Sequence, residues 1–265
     1  MALEGRHGPL TMRPGVDRRD RSARGARRVG VRGIVFPATG ATFAAQTGLT
    51  LDSLYTFQEA SGNLLDKAGS TDLGVNGAPT FAQTLLGRQG IYYDAADERH
   101  AAQVHDPGAA SMLAFAVCSF VAVTGTGGIF GGYDAADALD GWLAYRNINT
   151  VEFHIRSSAA GGSKSVAATT TLTTGQLYLV SLQVDRAANT GRGRITPRGG
   201  VGEGVSVDIT GLGTLSSGGN HLSGFGSTPL LGPGVSVYYG GIKLGAGAEG
   251  ATRLQTLHRS LGWEP

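Results

Sequence analysis

Turn signals punctuate this chain at short intervals, at Gly125-Thr126-Gly127-Gly128, Ala160-Gly161-Gly162-Ser163, Ala188-Asn189-Thr190-Gly191, Arg198-Gly199-Gly200 and Ser217-Gly218-Gly219-Asn220. Each offers residues that tolerate positive φ, where a backbone can reverse. The segments between them alternate with a period of two. Val151-Glu152-Phe153-His154-Ile155-Arg156 places three apolar side chains on one face and three polar ones on the other. Val205-Ser206-Val207-Asp208-Ile209 repeats the pattern, and Tyr178, Val180, Leu182 and Val184 share a face. Met112 to Val123 is more continuously apolar, Ser119 being its one polar residue, as a central strand covered on both sides would be. Glycine reaches 44 of 265 residues, about double its usual share near 7%. No Gly-X-Y period accompanies it, which excludes collagen. Many short strands joined by tight turns predict an antiparallel sandwich. Ala251, Leu254, Leu257 and Leu261 recur at helical spacing and predict one short helix over about 248–260.

The net charge of +2 conceals a partition. Residues 1–32 carry nine arginines against Glu4, Asp17 and Asp20, a net of +6, and residues 33–265 carry thirteen basic against seventeen acidic residues, a net of −4. The leading segment is rich in Gly and Pro and has no aromatic residue, so it cannot bury enough apolar surface to fold alone. Residues 1–46 are therefore expected to form an extended docking arm and 47–265 the folded domain. Arg13, Arg18, Arg19, Arg21, Arg24, Arg27, Arg28 and Arg32 are the candidate docking residues, directed at neighbouring protein subunits. A solvated tail and a nucleic-acid arm are the alternatives, the latter weakened by the missing stacking aromatics. The lone Cys118 excludes an internal disulfide framework and reads as a small buried hydrophobe. No apolar run is long enough to span a membrane, and the Arg-rich start has no apolar secretion signal.

The segment Leu54-Tyr55-Thr56-Phe57-Gln58-Glu59-Ala60-Ser61-Gly62-Asn63-Leu64-Leu65-Asp66, followed by Asn76-Gly77-Ala78-Pro79-Thr80-Phe81 and Gly87-Arg88-Gln89-Gly90-Ile91-Tyr92-Tyr93, resembles the opening of laminin-G-like, concanavalin A-like domains. Phe115 to Val123 is similar to that family's long strand, without the usual Trp. Gly128-Ile129-Phe130-Gly131, Gly141-Trp142-Leu143-Ala144-Tyr145 and Val151 to Ile155 resemble its strand trio. Gly175 to Asp185 resembles its Gly-x-Trp/Tyr-x-x-Val strand ending in Asp. The resemblance implies an all-β, antiparallel jelly-roll sandwich with a short C-terminal helix behind the extended arm.

Candidate sites follow from residue chemistry and from that resemblance. Trp142, Tyr145, Arg146 and Asn147 combine an aromatic platform with polar groups, as a glycan site requires; Tyr238 and Tyr239 form a second, weaker cluster. Tyr-Asp-Ala-Ala-Asp occurs at 93–97 and again at 133–137, and the second copy extends to Asp140. Asp134, Asp137 and Asp140 thus form a candidate Ca²⁺ loop, with Asp94, Asp97 and Glu98 as secondary positions, against the alternative of ordinary turn aspartates. No other cofactor is expected. Glucanases of the resembled fold carry Glu-x-Asp-x-x-Glu on one strand, and this chain lacks that spacing. Glu152, His154 and Arg156 read as a solvated row.

Similar domains occur in phage particles as decoration, fibre or minor tail components. The expectation is a non-catalytic structural or adhesive protein of a virion, oligomeric in its assembly, anchored by the arm and displaying a cell-surface glycan-binding sandwich. The alternatives are a free-standing lectin-like module and, third, a glycoside hydrolase with dispersed carboxylates.

Overall fold

The computed structural model describes residues 34, 36–85, 87–103, 105–134, 140–157, 162–215, 221–226 and 234–265. Helix α1 (Gly40–Thr47) comes first, followed by strands β1 (Ser53–Tyr55), β2 (Gly74–Asn76), β3 (Thr80–Leu85), β4 (Arg88–Tyr93) and β5 (Arg99–Ala102). Next are β6 (Met112–Phe120), β7 (Thr126–Asp134), β8 (Gly141–Asn147), β9 (Thr150–Ser157) and β10 (Gly162–Ala167). The chain closes with β11 (Tyr178–Asp185), β12 (Thr190–Pro197), β13 (Glu203–Asp208), β14 (His221–Gly226), β15 (Val235–Leu244) and helix α2 (Arg253–Ser260).

These strands form two antiparallel sheets stacked as a jelly-roll sandwich, the all-β architecture expected from the alternation. One sheet has eight strands in the order β13-β12-β11-β6-β15-β4-β3, with β1 also on β15; the other has seven, in the order β10-β9-β8-β7-β14-β5-β2. Non-sequential neighbours such as β6 and β15 mean that distant segments must meet before either sheet is complete.

The core lies between the sheets and is built by alternation. From β6, Met112, Ala114, Ala116, Cys118 and Phe120 point inward, joined by Tyr178, Val180, Leu182 and Val184 of β11 and by Val151, Phe153 and Ile155 of β9. Cys118 is fully buried, and burial pushes its thiol far up. Gly191 and Gly193 on β12 sit where Ile155 and Phe153 of the opposite sheet descend, leaving no room for a Cβ. The other side of β6 is apolar too: Leu113, Phe115 and Val117 form a second cluster with Phe43 of α1 and Leu254 and Leu257 of α2. Both faces of β6 are therefore covered, as its nearly continuous apolar run predicts.

Phe36 and Phe43, within the stretch 1–46 assigned to the arm on sequence, are part of this second cluster. Thr39 and Thr42 close a capping box, Gly48 ends α1 at φ 67°, and Phe43 stacks on Phe115 at 5.5 Å between ring centroids. Phe36 meets Tyr239 edge-on, and the Tyr239 hydroxyl donates to the Pro37 carbonyl at 2.8 Å. Phe43 and Phe36, seated on the apolar outer face of β6 and β15, tie this segment down. The docking arginines, Arg13 to Arg32, lie outside the described residues. At the other end α2 is shorter than the expected 248–260, starting at Arg253 because Gly250 holds a positive φ of 112°. The Glu-x-Ser-Gly turn leads to Asp66, whose carboxylate accepts hydrogen bonds from the backbone N–H groups of Leu54, Ala68 and Gly69 and from the Ser53 hydroxyl.

Candidate functional site

The two sheets differ on their outer faces. On the seven-stranded sheet, β8 and β9 pair in the register Leu143↔His154, Tyr145↔Glu152 and Asn147↔Thr150. Alternation sends Leu143, Tyr145 and Asn147 outward, with Glu152, His154 and Arg156 beside them. Asn147 Nδ2 donates to Glu152 Oε2 at 2.9 Å, and the same carboxylate takes the Tyr145 hydroxyl. Burial, and then this carboxylate, push the Tyr145 phenol up, so it remains a donor. His154 Nε2 lies 2.9 Å from Ser163 Oγ on β10. Burial holds the His154 imidazole below its ordinary range, with Glu152 opposing and Arg156 assisting.

Beside this polar row the face falls to a glycine floor. Gly131 of β7 pairs with Gly224 of β14, which pairs with Ala101 of β5. A Cβ on Gly224 would overlap the His100 carbonyl, so glycine is required where these strands close up. Tyr133 and Arg99 wall a small hollow beside this floor, with room for about one water, and Leu143 lies over Gly131.

The expected glycan cluster does not assemble. Positions 142, 145, 146 and 147 cannot share one face of a strand, and they do not. Trp142 is 1% exposed and lies in the core against Phe130, and Arg146 is likewise buried, its guanidinium donating to the Ala122 carbonyl. Only Tyr145 and Asn147 reach the outer face. Tyr238 and Tyr239 are buried as well. Of the candidate Ca²⁺ loop, Asp140 is buried, while Asp137 and the side chain of Asp134 lie outside the described residues. Among the described residues no three His, Cys, Asp or Glu side chains gather as a metal site. Glu98 caps the first Tyr-Asp-Ala-Ala-Asp turn, its Oε2 accepting from the backbone N–H groups of Asp94 at 2.6 Å and Ala95 at 3.1 Å. The two copies of the pentapeptide have different environments: Tyr93 is fully buried and its hydroxyl meets His100 Nδ1 at 2.9 Å, whereas Tyr133 faces the hollow. Tyr133 and Arg99 were missed in the sequence. The signal available was the small-residue alternation on β7 and β14, which marks a floor wanting walls.

The outer face of the eight-stranded sheet carries a polar chain of another kind. Ser181 Oγ lies 2.8 Å from His258 Nε2, His258 Nδ1 lies 2.7 Å from Thr196 Oγ1, and Thr196 donates to Glu264 Oε1 at 2.8 Å. Because the Thr196 proton goes to the carboxylate, Nδ1 carries the imidazole proton and Nε2 accepts from Ser181. Glu264 also takes two bonds from Arg194, at 2.7 and 2.8 Å. A serine, a histidine and a carboxylate in series invite comparison with a nucleophilic relay. Ser181 on the sheet and His258 on the inner side of α2 are both 0% exposed, so no substrate reaches the hydroxyl. Burial, and secondarily Arg194, hold His258 well below its ordinary range and therefore neutral. The chain of bonds fastens α2 to the sheet.

Fold and faces together define an antiparallel β-sandwich in which, among the described residues, helices cover the outer face of one sheet and not that of the other. No protein-family model matches the chain, and no curated protein matches it in sequence. Among solved structures it is similar to the binding domain of Paraclostridial Mosquitocidal Protein 1, with a TM-score of 0.58 at 9% identity over 79% of this chain and 51% of that one. It is similar too to the binding domain of botulinum neurotoxin serotype G, with a TM-score of 0.55 at 11% identity over 79% of this chain and 50% of that one. The binding domain of botulinum neurotoxin DC, solved in complex with rat synaptotagmin II, gives 0.53 at 11% identity over 79% and 51%. The chain spans about half the length of these domains. At such identities the likeness is one of fold.

Proposed function

We propose that this chain is a non-catalytic recognition module that binds its ligand on the open face of the seven-stranded sheet. The observation that carries the reading is the unequal covering of the two outer faces. Two helices close one, while the other leaves Tyr145, Glu152 and His154 aligned across adjacent strands beside a glycine floor. The similar sandwiches of toxin binding and receptor-binding domains support the same direction. Catalysis is disfavoured by the register. The positions flanking Glu152 are Tyr145 on β8 and Ala167 on β10, so no second carboxylate stands opposite it.

Within this reading the protein is a component of a multi-subunit assembly, a phage virion surface being the proposed setting. Its nine-arginine leader docks onto neighbouring subunits. A free-standing lectin-like module is the second reading, favoured by the aromatic and amide groups of Tyr145 and Asn147. The test is binding of the full chain to glycan arrays and to whole cells. Tyr145→Ala and His154→Ala should each weaken capture about tenfold, the scale of one well-formed polar anchor. Capture untouched by both substitutions rejects the open face as the site. Removing residues 1–32 separates the settings: a virion component loses incorporation into particles and keeps binding, whereas a free lectin has no incorporation to lose.

A further inference from the structure

We propose that a groove on the outer face of the eight-stranded sheet, between β13 and α2, takes the tetrahedral oxyanion of a small phosphate or sulfate ester, held by Arg192 and Arg194. The groove lies on the other sheet from the recognition surface and does not depend on that reading. Alternation on β12 turns Gly191 and Gly193 into the core and sends Arg192 and Arg194 outward. Their cross-strand partners on the edge strand β13 are Ser206 and Gly204, both exposed. Helix α2 packs over β11 and β12, and a groove of about 240 Å³ remains between it and β13. Leu254 and Gln255 stand on the helix wall, and among the described residues no carboxylate lines the groove.

Both guanidiniums are fixed from behind. Arg194 gives Nε and Nη2 to Glu264 at 2.7 and 2.8 Å, and Arg192 gives Nη1 to Asp185 at 2.9 Å and to Gln183 Oε1 at 3.3 Å. Asp185 is itself held by the backbone N–H groups of Ala188 and Gly250. The side chains of Arg192 and Arg194 are 17% and 14% exposed, so they are ordered by folding and not at the moment of binding. One free end is left on each. Among the described residues neither Arg192 Nη2 nor Arg194 Nη1 has a hydrogen-bond partner, and neither is sealed from solvent. A Cβ on Gly204 would come to 3.0 Å from Arg194 Nη1, so glycine keeps that end uncovered.

The ligand's shape follows from where those ends stand. Two residues along a strand separate the arginines by roughly 6–7 Å, so an anion between them is approached from two directions. The Nε–Nη2 fork of Arg194 is already closed on Glu264, which leaves a planar carboxylate poorly matched there. A tetrahedral oxyanion presents oxygens in several directions and accepts from both arginines and from the Ser206 hydroxyl together. Asp185 and Glu264 offset the two positive charges, so the groove selects by directed N–H groups more than by net charge. A bare anion fills only part of the space, and Leu254 offers the remainder an apolar wall for the carrier of an ester.

The experiment is titration of the full chain with glucose 6-phosphate and glucose 6-sulfate, beside glucose, glucuronate and inorganic phosphate. At least one ester should bind about tenfold more tightly than glucose or glucuronate, as one charge-assisted pair provides. Which ester binds distinguishes a phosphate source from a sulfate source. Ser206→Glu and Gln255→Glu each place a carboxylate in the groove without touching the Asp185 and Glu264 pairs. Each should weaken ester binding about tenfold and leave the melting temperature of the free protein unchanged or raised. They stand on opposite walls, so a folding defect in one leaves the other to decide. Arg192→Lys keeps a charge for Asp185 but loses the second N–H group, and should lower affinity severalfold. Binding of neither ester, or equal binding of glucuronate, would overturn the assignment, as would ester binding that survives both Glu substitutions. Inorganic phosphate matching the esters would overturn the carrier and leave a free anion as the ligand. Tyr145→Ala and His154→Ala should leave ester binding untouched; a loss there would move the esters to the recognition face and empty the groove of its claim.

Discussion

Ser181, Thr196 and His258 on one outer face of the sandwich and Tyr145, Glu152 and His154 on the other are built from similar side chains at similar spacing, yet they experience different media. The first set lies between the sheet and α2 with both imidazole nitrogens occupied. The second is half exposed, and its groups bond chiefly to one another across β8, β9 and β10. Polar groups sealed from water must be satisfied internally, so their bonds are strong and their loss is costly. Polar groups on an open face exchange readily with solvent or ligand and contribute little to folding. A hydroxyl beside a histidine does not define a function; access does.

The sharpest way to break this contrast is His258→Ala. It leaves Ser181 and Thr196 each short of a partner and opens a cavity under α2, so a loss of about 3–5 kcal/mol is expected. Urea unfolding measures it, and ligand capture by the remaining folded protein should be unchanged. A loss below about 1 kcal/mol would show that α2 is held chiefly by Leu254 and Leu257, and that the polar chain is incidental.

Acid sharpens the same contrast at the next scale down. His258 has a folded pKa well below its unfolded value of 6.5, through burial first. Its neutral, bonded form contributes stability that is fully present above about pH 6.5 and is lost as pH falls toward the folded value. Below 6.5 the unfolded chain takes up a proton that the folded chain refuses, so stability declines by up to about 1.4 kcal/mol per pH unit for this one group. Asp66 and Asp185 are lowered from 3.8, where hydrogen bonds from backbone N–H groups outweigh burial, so their contributions are lost only in stronger acid. The interval from pH 6.5 to 5 therefore reports on histidine. His100, held low by burial despite the opposing Gly62 carbonyl and Glu59, adds to the slope. His258→Gln should remove one proton's worth of the slope in urea midpoints taken across that interval, and an unchanged slope would place the imidazole's proton elsewhere.

How far the sequence foretold these faces can be argued residue by residue. Period-two alternation identified β9, β11 and β13, and a nearly continuous apolar run identified β6 as covered on both sides. The same rule, applied to β8, would have separated Trp142 and Arg146 from Tyr145 and Asn147; grouping them by chemistry alone obscured it. Helix α1 escaped because its eight residues carry a single large apolar side chain, Phe43, too few to establish a period. The hollow was illegible for a different reason. Arg99, Tyr133 and Gly224 lie on three strands, and only the pairing of β14 between β5 and β7 brings them together. Sheet order is decided by long-range closure, which no local window records.

The smallest expected effect is the most discriminating for the open face. Tyr145→Phe removes the hydroxyl that Glu152 accepts and keeps the ring that covers β8. Because the pair is half exposed, water replaces the lost bond, and the cost should stay within about 0.5 kcal/mol in urea unfolding. Ligand capture should nonetheless fall, since the hydroxyl and the Glu152 carboxylate are presented to the ligand together. Stability and binding thus respond oppositely to substitution on the two faces: His258→Ala moves the first alone, and Tyr145→Phe the second alone. A stability loss from Tyr145→Phe on the scale of His258→Ala would make the row across β8, β9 and β10 another internal fastening, and the open face would lose its claim to a ligand.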